Sequence, residues 1–491
     1  MKLTHKISAL TGNGIATMIL LLGLLTGCSR NDKNLVENIP ASATTVSIVD
    51  FDILLKNAGC EINNGFITLT PDLKKIESLL APGHAEMFDA IIKAAPAIDL
   101  TEVGFFSTGS AEAAVIRLKQ PEIFEQGIRA EAVSSDSFDG KTFYLFDDIA
   151  VAIEDNYAWI SEDNVKLSNL LNELDKESFY KKYRVLSSNL TDSSNAVRIV
   201  SLIEKNVTAA PVNDVEQKFD RLFFVGQLTV TDNIMSLDCR FTDKDNRPLD
   251  FSPYFEETGS DFLRFVDPQA NIIAAIGKPM RPEIIEMVYG YLNRESGIYS
   301  EFIPMLKAID GTTGFSARIT SDINKGNILN SGEYVLTTQL KESENSGVIQ
   351  LLEMSGAKKM AETPVGGEIA QYEIPVNSGN LYTGLFQGTL AIGNRPIDDT
   401  FSNPFTTDFQ GVRAGLIITF APGSPLQKAA KIPYGVYCSA MIYSQSENIR
   451  LRFNGSSRNV VATIVELIAT FMTDRSGNGI GQNVPDIVPN E

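Results

Sequence analysis

Strand-like and helical patterns recur in the same order at two places in this chain, roughly 210–230 residues apart, and any fold must accommodate that recurrence. The first copy opens at residues 39–49, a turn with Pro40 and Ala41 followed by the apolar run Val46, Ile48, Val49. The second opens at 267–276, with Pro268 and Ala270 before Ile272, Ile273 and Ile276. Apolar spacing near 3.6 residues then predicts helices over 51–58, 71–80 and 83–94 in the first copy, and over 281–294 and 299–308 in the second. Further parallels follow in step. Val103-Gly104-Phe105-Phe106 answers Thr313-Gly314-Phe315-Ser316, the strand 113–119 answers 333–341, and the paired strands 141–146 and 149–154 answer 368–375 and 381–387. Residues 196–200 match 411–415, and two-stranded ends at 223–240 and 434–452 close the copies.

Turn clusters such as Thr231-Asp232-Asn233 and Asn377-Ser378-Gly379-Asn380 separate alternating strands, so hairpins rather than crossovers connect them. The predicted fold is α+β: two tandem related modules, each a largely antiparallel sheet with helices packed on one face. Their expected limits are 38–255 and 256–474, with the boundary in the Pro-, Gly- and acid-containing stretch 252–260. The run 460–472 is apolar but too short to span a bilayer, which predicts a core-packed helix, and 475–491 is expected to be a disordered tail.

Residues 1–27 carry Lys2, Lys6 and an apolar stretch over 16–25, the pattern of a signal peptide. The stretch ends in Leu25-Thr26-Gly27-Cys28, which resembles the bacterial lipobox. A lipidating enzyme needs a thiol at the membrane surface, and the peptidase needs small residues before it; acylated Cys28 would then be a permanent anchor without a transmembrane helix. Residues 28–37 would be a lipidated tether. Ser29 after the cysteine is compatible with export to the outer membrane, with the periplasmic and surface faces both open.

The remaining chemistry is sparse. The chain has 42 Lys+Arg against 61 Asp+Glu, a net charge of −19 that repels phosphate backbones, so no nucleic-acid partner is expected. Beyond Cys28 there are Cys60, Cys239 and Cys438, an odd number without a C-x-x-C pair, which predicts buried thiols and no disulfide framework. His84 is alone outside the leader, so no His-based zinc site is expected; no metal or cofactor is predicted. S-x-x-K occurs at Ser178–Lys181 and Ser355–Lys358 without the S-D-N and K-T-G partner motifs of penicillin-binding proteins and β-lactamases, and Asp243-Lys244-Asp245-Asn246 lacks the Gly and distal Glu of a calcium loop. No catalytic residue is assigned. Tyr289, Tyr291, Tyr334 and Tyr372 are candidate aromatics for a binding surface, with core packing as the alternative role.

The lipobox at Leu25–Cys28, the short tether to Asn38-Ile39-Pro40-Ala41 and the first helix ending in Lys56-Asn57-Ala58-Gly59 resemble a large family of Bacteroidetes envelope lipoproteins, known only as a domain of unknown function. The resemblance implies an anchor and brings no catalytic residues. The expected function is a non-enzymatic, outer-membrane-anchored binding or structural protein with an envelope protein or glycan as partner. The alternative is a hydrolase of glycans using two carboxylates, which requires no histidine.

Overall fold

The structure is a computed structural model that describes residues 34–80, 92–138, 141–146, 149–281, 308–321, 332–354, 356–360, 371–376 and 379–477. It is an α+β protein with antiparallel strand pairing. Two compact units are present: Met1–Leu202 with Phe224–Met235 and Ser456–Glu491, and Ile203–Phe223 with Ser236–Gly455. This division is interleaved, where the sequence suggested a serial one at 255/256. The cause lies in strands β10 (Val197–Val212) and β11 (Val215–Val230), each of 16 residues, which both contribute to the two units. Asn213 and Asp214 join them with φ of 49° and 64°, the conformation of a two-residue hairpin turn that favours Asn and Asp. The apolar run that announces the first of these strands stops at Val200, whereas the strand continues to Val212.

In the first unit, β1 (Thr45–Val49) pairs with β10 on one side and with β4 (Ile98–Ser107) on the other. Pairing continues through β5 (Glu112–Leu118), β9 (Tyr157–Ser161), β8 (Ala150–Glu154), β7 (Lys141–Leu145) and β6 (Ser134–Phe138). A separate hairpin joins β2 (Glu61–Asn63) to β3 (Phe66–Thr68). Helix α1 (Phe51–Asn57) starts where Asp50 accepts a hydrogen bond from the Ile53 amide at 2.9 Å, and α2 (Pro71–Ser78) starts at Thr70 with Pro71 in the first turn.

Phe51 of α1 meets Phe105 of β4 edge-on at 6.2 Å, whereas a side chain on the preceding residue, Gly104, would fall 2.9 Å from Leu35. Successive strand residues point to opposite faces. Both faces of this sheet are therefore covered, which corrects the expectation of helices on one face only, and Val103, Gly104, Phe105 and Phe106 are all buried as a result. The C-terminal helix Val460–Gly477 packs on α1 and α2, with Arg458 bonded to Asp72 at 2.5 Å and Val460 donating to the Asp232 carbonyl at 2.6 Å. It extends five residues past the apolar run 460–472 that announced it.

In the second unit, β13 (Ile272–Ile276) is flanked by β14 (Ile309–Ile319) and β20 (Ala414–Phe420). From β14 the pairing runs through β15 (Gly332–Leu340), β19 (Thr389–Gly393), β18 (Gly379–Phe386), β17 (Gln371–Val376) and β16 (Lys358–Lys359). From β20 it runs through β21 (Gly435–Ile442) and β22 (Glu447–Asn454) to β12 (Ile234–Thr242). The order β20-β13-β14-β15-β19-β18-β17-β16 is that of β10-β1-β4-β5-β9-β8-β7-β6. Both sheets also have a register shift at the equivalent place, between Asp99 and Val103 and between Ile309 and Thr313.

One face of the second sheet is filled by Phe262, Leu263 and Val266, together with Phe409 and Val412, packed on Ile273, Ala275, Ile417 and Met441. Gly314 is small because the Phe262 ring would lie 2.5 Å from a Cβ there. On the other face, the helix Asn345–Met354 covers Leu340 and Leu390 through Val348. Helices expected over 281–294 and 299–308 lie outside the described residues except Arg281 and Ala308, and of 83–94 only 92–94 are described, as helix.

Candidate functional site

Alternation along β13 and β20 builds a concave apolar trough in the second unit. Ile273, Ala275 and Ile417 turn to the core, so Ala274, Ile276 and Leu416 turn to the opposite face. The floor is made by Ala274, Gly314, Ala414, Gly415 and Ala440, and the sides by Phe315, Leu416, Ile442 and Ile449. Small floor residues between larger ones leave a volume of about 500 Å³. Leu416 is 38% and Ile449 50% exposed, an unusual state for aliphatic residues in the middle of a sheet.

Glu447 is the one carboxylate in this lining. Burial pushes it up to about 7, and its buried Oε2 has no hydrogen-bond partner. The Cys239 thiol is pushed up to about 11 by burial and by the Glu447 and Asp238 charges. A thiol held this far from ionisation is a packing group and not a nucleophile. What the trough offers a ligand is apolar area with one carboxyl that is close to half-protonated at neutral pH.

The first unit holds a second buried polar group, Arg198 of β10. Its side chain is 0% exposed, and none of its three guanidinium nitrogens has a hydrogen-bond partner. Burial lowers its pKa, against the opposing pull of Glu102, Asp50 and Asp192. Asp50 is raised to about 6, first by burial and also by the Asp52 charge, against its bond from Ile53 and the attraction of Arg198.

The residues singled out from sequence are scattered. Leu25, Thr26, Gly27, Cys28, His84, Tyr289 and Tyr291 lie outside the described residues. Tyr334 is half-buried on β15, its amide donating to Asn394 at 2.9 Å. Tyr372 is 3% exposed on β17, and its hydroxyl donates to Glu353 at 3.4 Å. A ring packed inside presents no face to a sugar, so the expectation of Tyr372 as a binding aromatic is corrected. β19 and β18 lie between the strands of these two tyrosines.

Ser178 is the N-cap of the short helix that follows, accepting from the Lys181 amide at 3.4 Å, which accounts for its S-x-x-K spacing without chemistry. Asp243 accepts from the amides of Asp245 and Arg247 and from the Arg247 guanidinium at 2.6 Å, so it braces a turn. Cys60 and Cys239 are buried, and Cys438 half-buried, all three as free thiols. Among the described residues no cluster of His, Cys, Asp and Glu could hold a metal ion.

The trough was not foreseen. Its signal was present as small residues inside strands, Ala274-Ala275 in β13 and Ala414-Gly415 in β20, where a missing side chain marks close approach or open space. Arg198 was signalled too, as one charge inside the apolar run 196–200.

No known family and no curated protein matches the sequence. Among solved structures, the chain is similar to TP0453 in its crystal forms III, IV and I, with TM-scores of 0.27, 0.26 and 0.25 and sequence identities of 13%, 13% and 14%. These matches cover 43%, 42% and 43% of this chain and 81%, 79% and 79% of those chains.

Proposed function

We propose that this protein is an envelope lipoprotein, anchored to the outer membrane through acylated Cys28, whose body binds a partner without catalysing a reaction. The leader and Leu25-Thr26-Gly27-Cys28 support the anchor. The trough supports the binding role, and it is the observation that carries it: about 500 Å³ of open concavity lined by aliphatic and small side chains with a single carboxyl. Apolar side chains of a protein fit such a surface better than the hydroxyls of a glycan, since each hydroxyl placed there would lose water without gaining a hydrogen bond. Two-carboxylate glycan hydrolysis has weaker support, because Glu447 has no second carboxylate beside it in the trough.

We also propose that the two units arose by duplication of one module. The shared strand order and the shared register shift support this, and they extend the parallels visible in the sequence.

A photo-crosslinking residue in place of Ala440, which is exposed in the trough, tests the binding role. In envelopes it is expected to give one discrete adduct, reduced at least about fivefold by Leu416→Asp and Ile449→Asp together, because burying a charge against a partner's apolar surface is strongly unfavourable. Absence of any adduct, or an adduct indifferent to the two substitutions, would contradict the binding role of this surface.

A further inference from the structure

The basic residues of a protein this acidic are informative where they cluster beside its attachment point. Residues 34–44 form the root of the expected tether, and in the first unit they are laid directly on the segment 173–182. Pro40 bridges to Ser178, the Ala41 amide donates to Glu177, the Phe179 amide donates to Ile39, and Lys182 Nζ donates to the Ala41 carbonyl at 2.7 Å. Two one-turn helices continue from there, α5 (Phe179–Lys182) and α6 (Arg184–Ser187), if the longer helices Pro121–Glu131 and Asn164–Leu174 are numbered α3 and α4.

Phe179, Tyr183, Leu186 and Ser187 are buried, whereas Lys181, Lys182, Arg184, Val185 and Ser188 are exposed. Lys181, Lys182, Arg184 and Val185 thus place three exposed cations and one exposed apolar side chain within five residues, around the non-helical Tyr183 that separates the two short helices. Among the described residues no carboxylate is within ion-pair distance of Lys181, Lys182 or Arg184. Asp175 and Glu177, just before this segment, are its nearest acidic neighbours in sequence.

From this geometry we infer that the face formed by Lys181, Lys182, Arg184 and Val185 rests on the anionic phospholipid headgroups of the membrane that holds the lipid anchor. The inference depends on the anchoring proposed above. Six residues separate Cys28 from Leu35, and an extended chain of that length reaches at most about 25 Å. A body on so short a lead samples the surface at an effective concentration of about millimolar, so even a weak patch engages it. Cations attract anionic headgroups only within about a Debye length, some 8 Å at physiological salt, and the short tether lets this face return to that range repeatedly. The contact would orient the first unit against the membrane.

The test uses the full chain from Cys28, coupled through that thiol to a maleimide phospholipid, so the face is examined whether or not cells acylate the cysteine. Burial raises the pKa of Cys438 and slows its competing reaction. Amide hydrogen exchange of residues 179–190 is then followed on vesicles. On vesicles with about 30% phosphatidylglycerol, exchange should be at least about threefold slower than on pure phosphatidylcholine. The protection should vanish in about 0.5 M NaCl and in the Lys181→Gln/Lys182→Gln/Arg184→Gln variant, with the hairpin Glu61–Thr68 unchanged throughout. Equal exchange on both vesicles, or protection indifferent to salt, would overturn the inference. Failure of cells to acylate Cys28 would instead overturn the anchor and leave this measurement's result standing for the surface itself.

Discussion

Replacing Gly277 with alanine is expected to destabilise the protein by about 3 kcal/mol or more, measured by denaturant unfolding, with loss of structure in the second unit. A Cβ at this position would lie 1.9 Å from the Glu256 carbonyl oxygen and 2.7 Å from its carbon. These are backbone atoms, so no side-chain rotation relieves the overlap. The two segments are also stitched beside the contact, Glu256 donating to the Lys278 carbonyl at 2.9 Å and Met280 to the Tyr254 carbonyl at 2.9 Å, while Gly277 itself is held by donating to the Arg413 carbonyl at 2.8 Å. Separating them by the needed ångström or more would break these bonds, each a net contribution of about 1 kcal/mol. Gly347 is the control. It lies in the helix Asn345–Met354 with nothing within 4 Å of a Cβ, so Gly347→Ala is expected to be neutral or to stabilise by up to about 1 kcal/mol. Equal stability of the two alanine variants would show that the approach of 256 to 277 is not as described.

Arg198→Ala is expected to cost about 3–5 kcal/mol at pH 8, because it opens a cavity and leaves Asp50 charged without the buried cation that attracts it. The cost should shrink towards pH 5, and the sign follows from Asp50. Its folded pKa is raised from 3.8 to about 6, so the folded state holds this proton more tightly than the unfolded chain. The stability this contributes is fully present below pH 4 and is lost as pH rises through about 6. Above that, a buried carboxylate relies on Arg198, whereas at pH 5 it is mostly neutral. Asp50→Asn keeps an acceptor for the Ile53 amide and removes the charge. In that background Arg198→Ala should lose its pH dependence, and a double-mutant cycle read by urea unfolding at both pH values measures the coupling. A loss independent of pH and of Asp50 would mean that Arg198 acts only by filling space.

Elements with local signatures were legible in the sequence. Helices at Phe51–Asn57 and Pro71–Ser78 have Asp50 and Thr70 at their caps, and the apolar run at 460 is the C-terminal helix. Hairpin turns announced the antiparallel pairing. The long strands β10 and β11 were not legible, because Ile203, Glu204, Lys205 and Asn206 are all exposed and carry no alternation to read. Neither was the covering of both faces of the first sheet, since consecutive buried residues such as Val103–Phe106 do not say which partner fills each side. Return of the C-terminal helix to the first unit is a long-range choice, fixed by Asp72 and Asp232, that periodicity cannot encode. Which of its two roles Tyr372 takes is illegible for a related reason: an aromatic on an alternating strand has an inside and an outside, and only the helix bearing Glu353 decides which.

The trough shows the opposite case, in which residues that announce little singly acquire a role through register. Ala274, Leu416, Ala440 and Ile449 come from four strands spread over 176 positions of sequence, and they meet because β13, β20, β21 and β22 are neighbours in one sheet.

The most direct measurement of the central claim is the partition of this protein between membrane and soluble fractions of the cell envelope, with Cys28→Ala compared with the unaltered chain. The unaltered chain is expected in the membrane fraction, resistant to high salt and released by detergent, because several acyl chains on one cysteine make release negligible. Cys28→Ala should move almost entirely to the soluble fraction or remain as uncleaved precursor identifiable by its mass. A mature Cys28→Ala protein that stays with the membrane would contradict the lipid anchor.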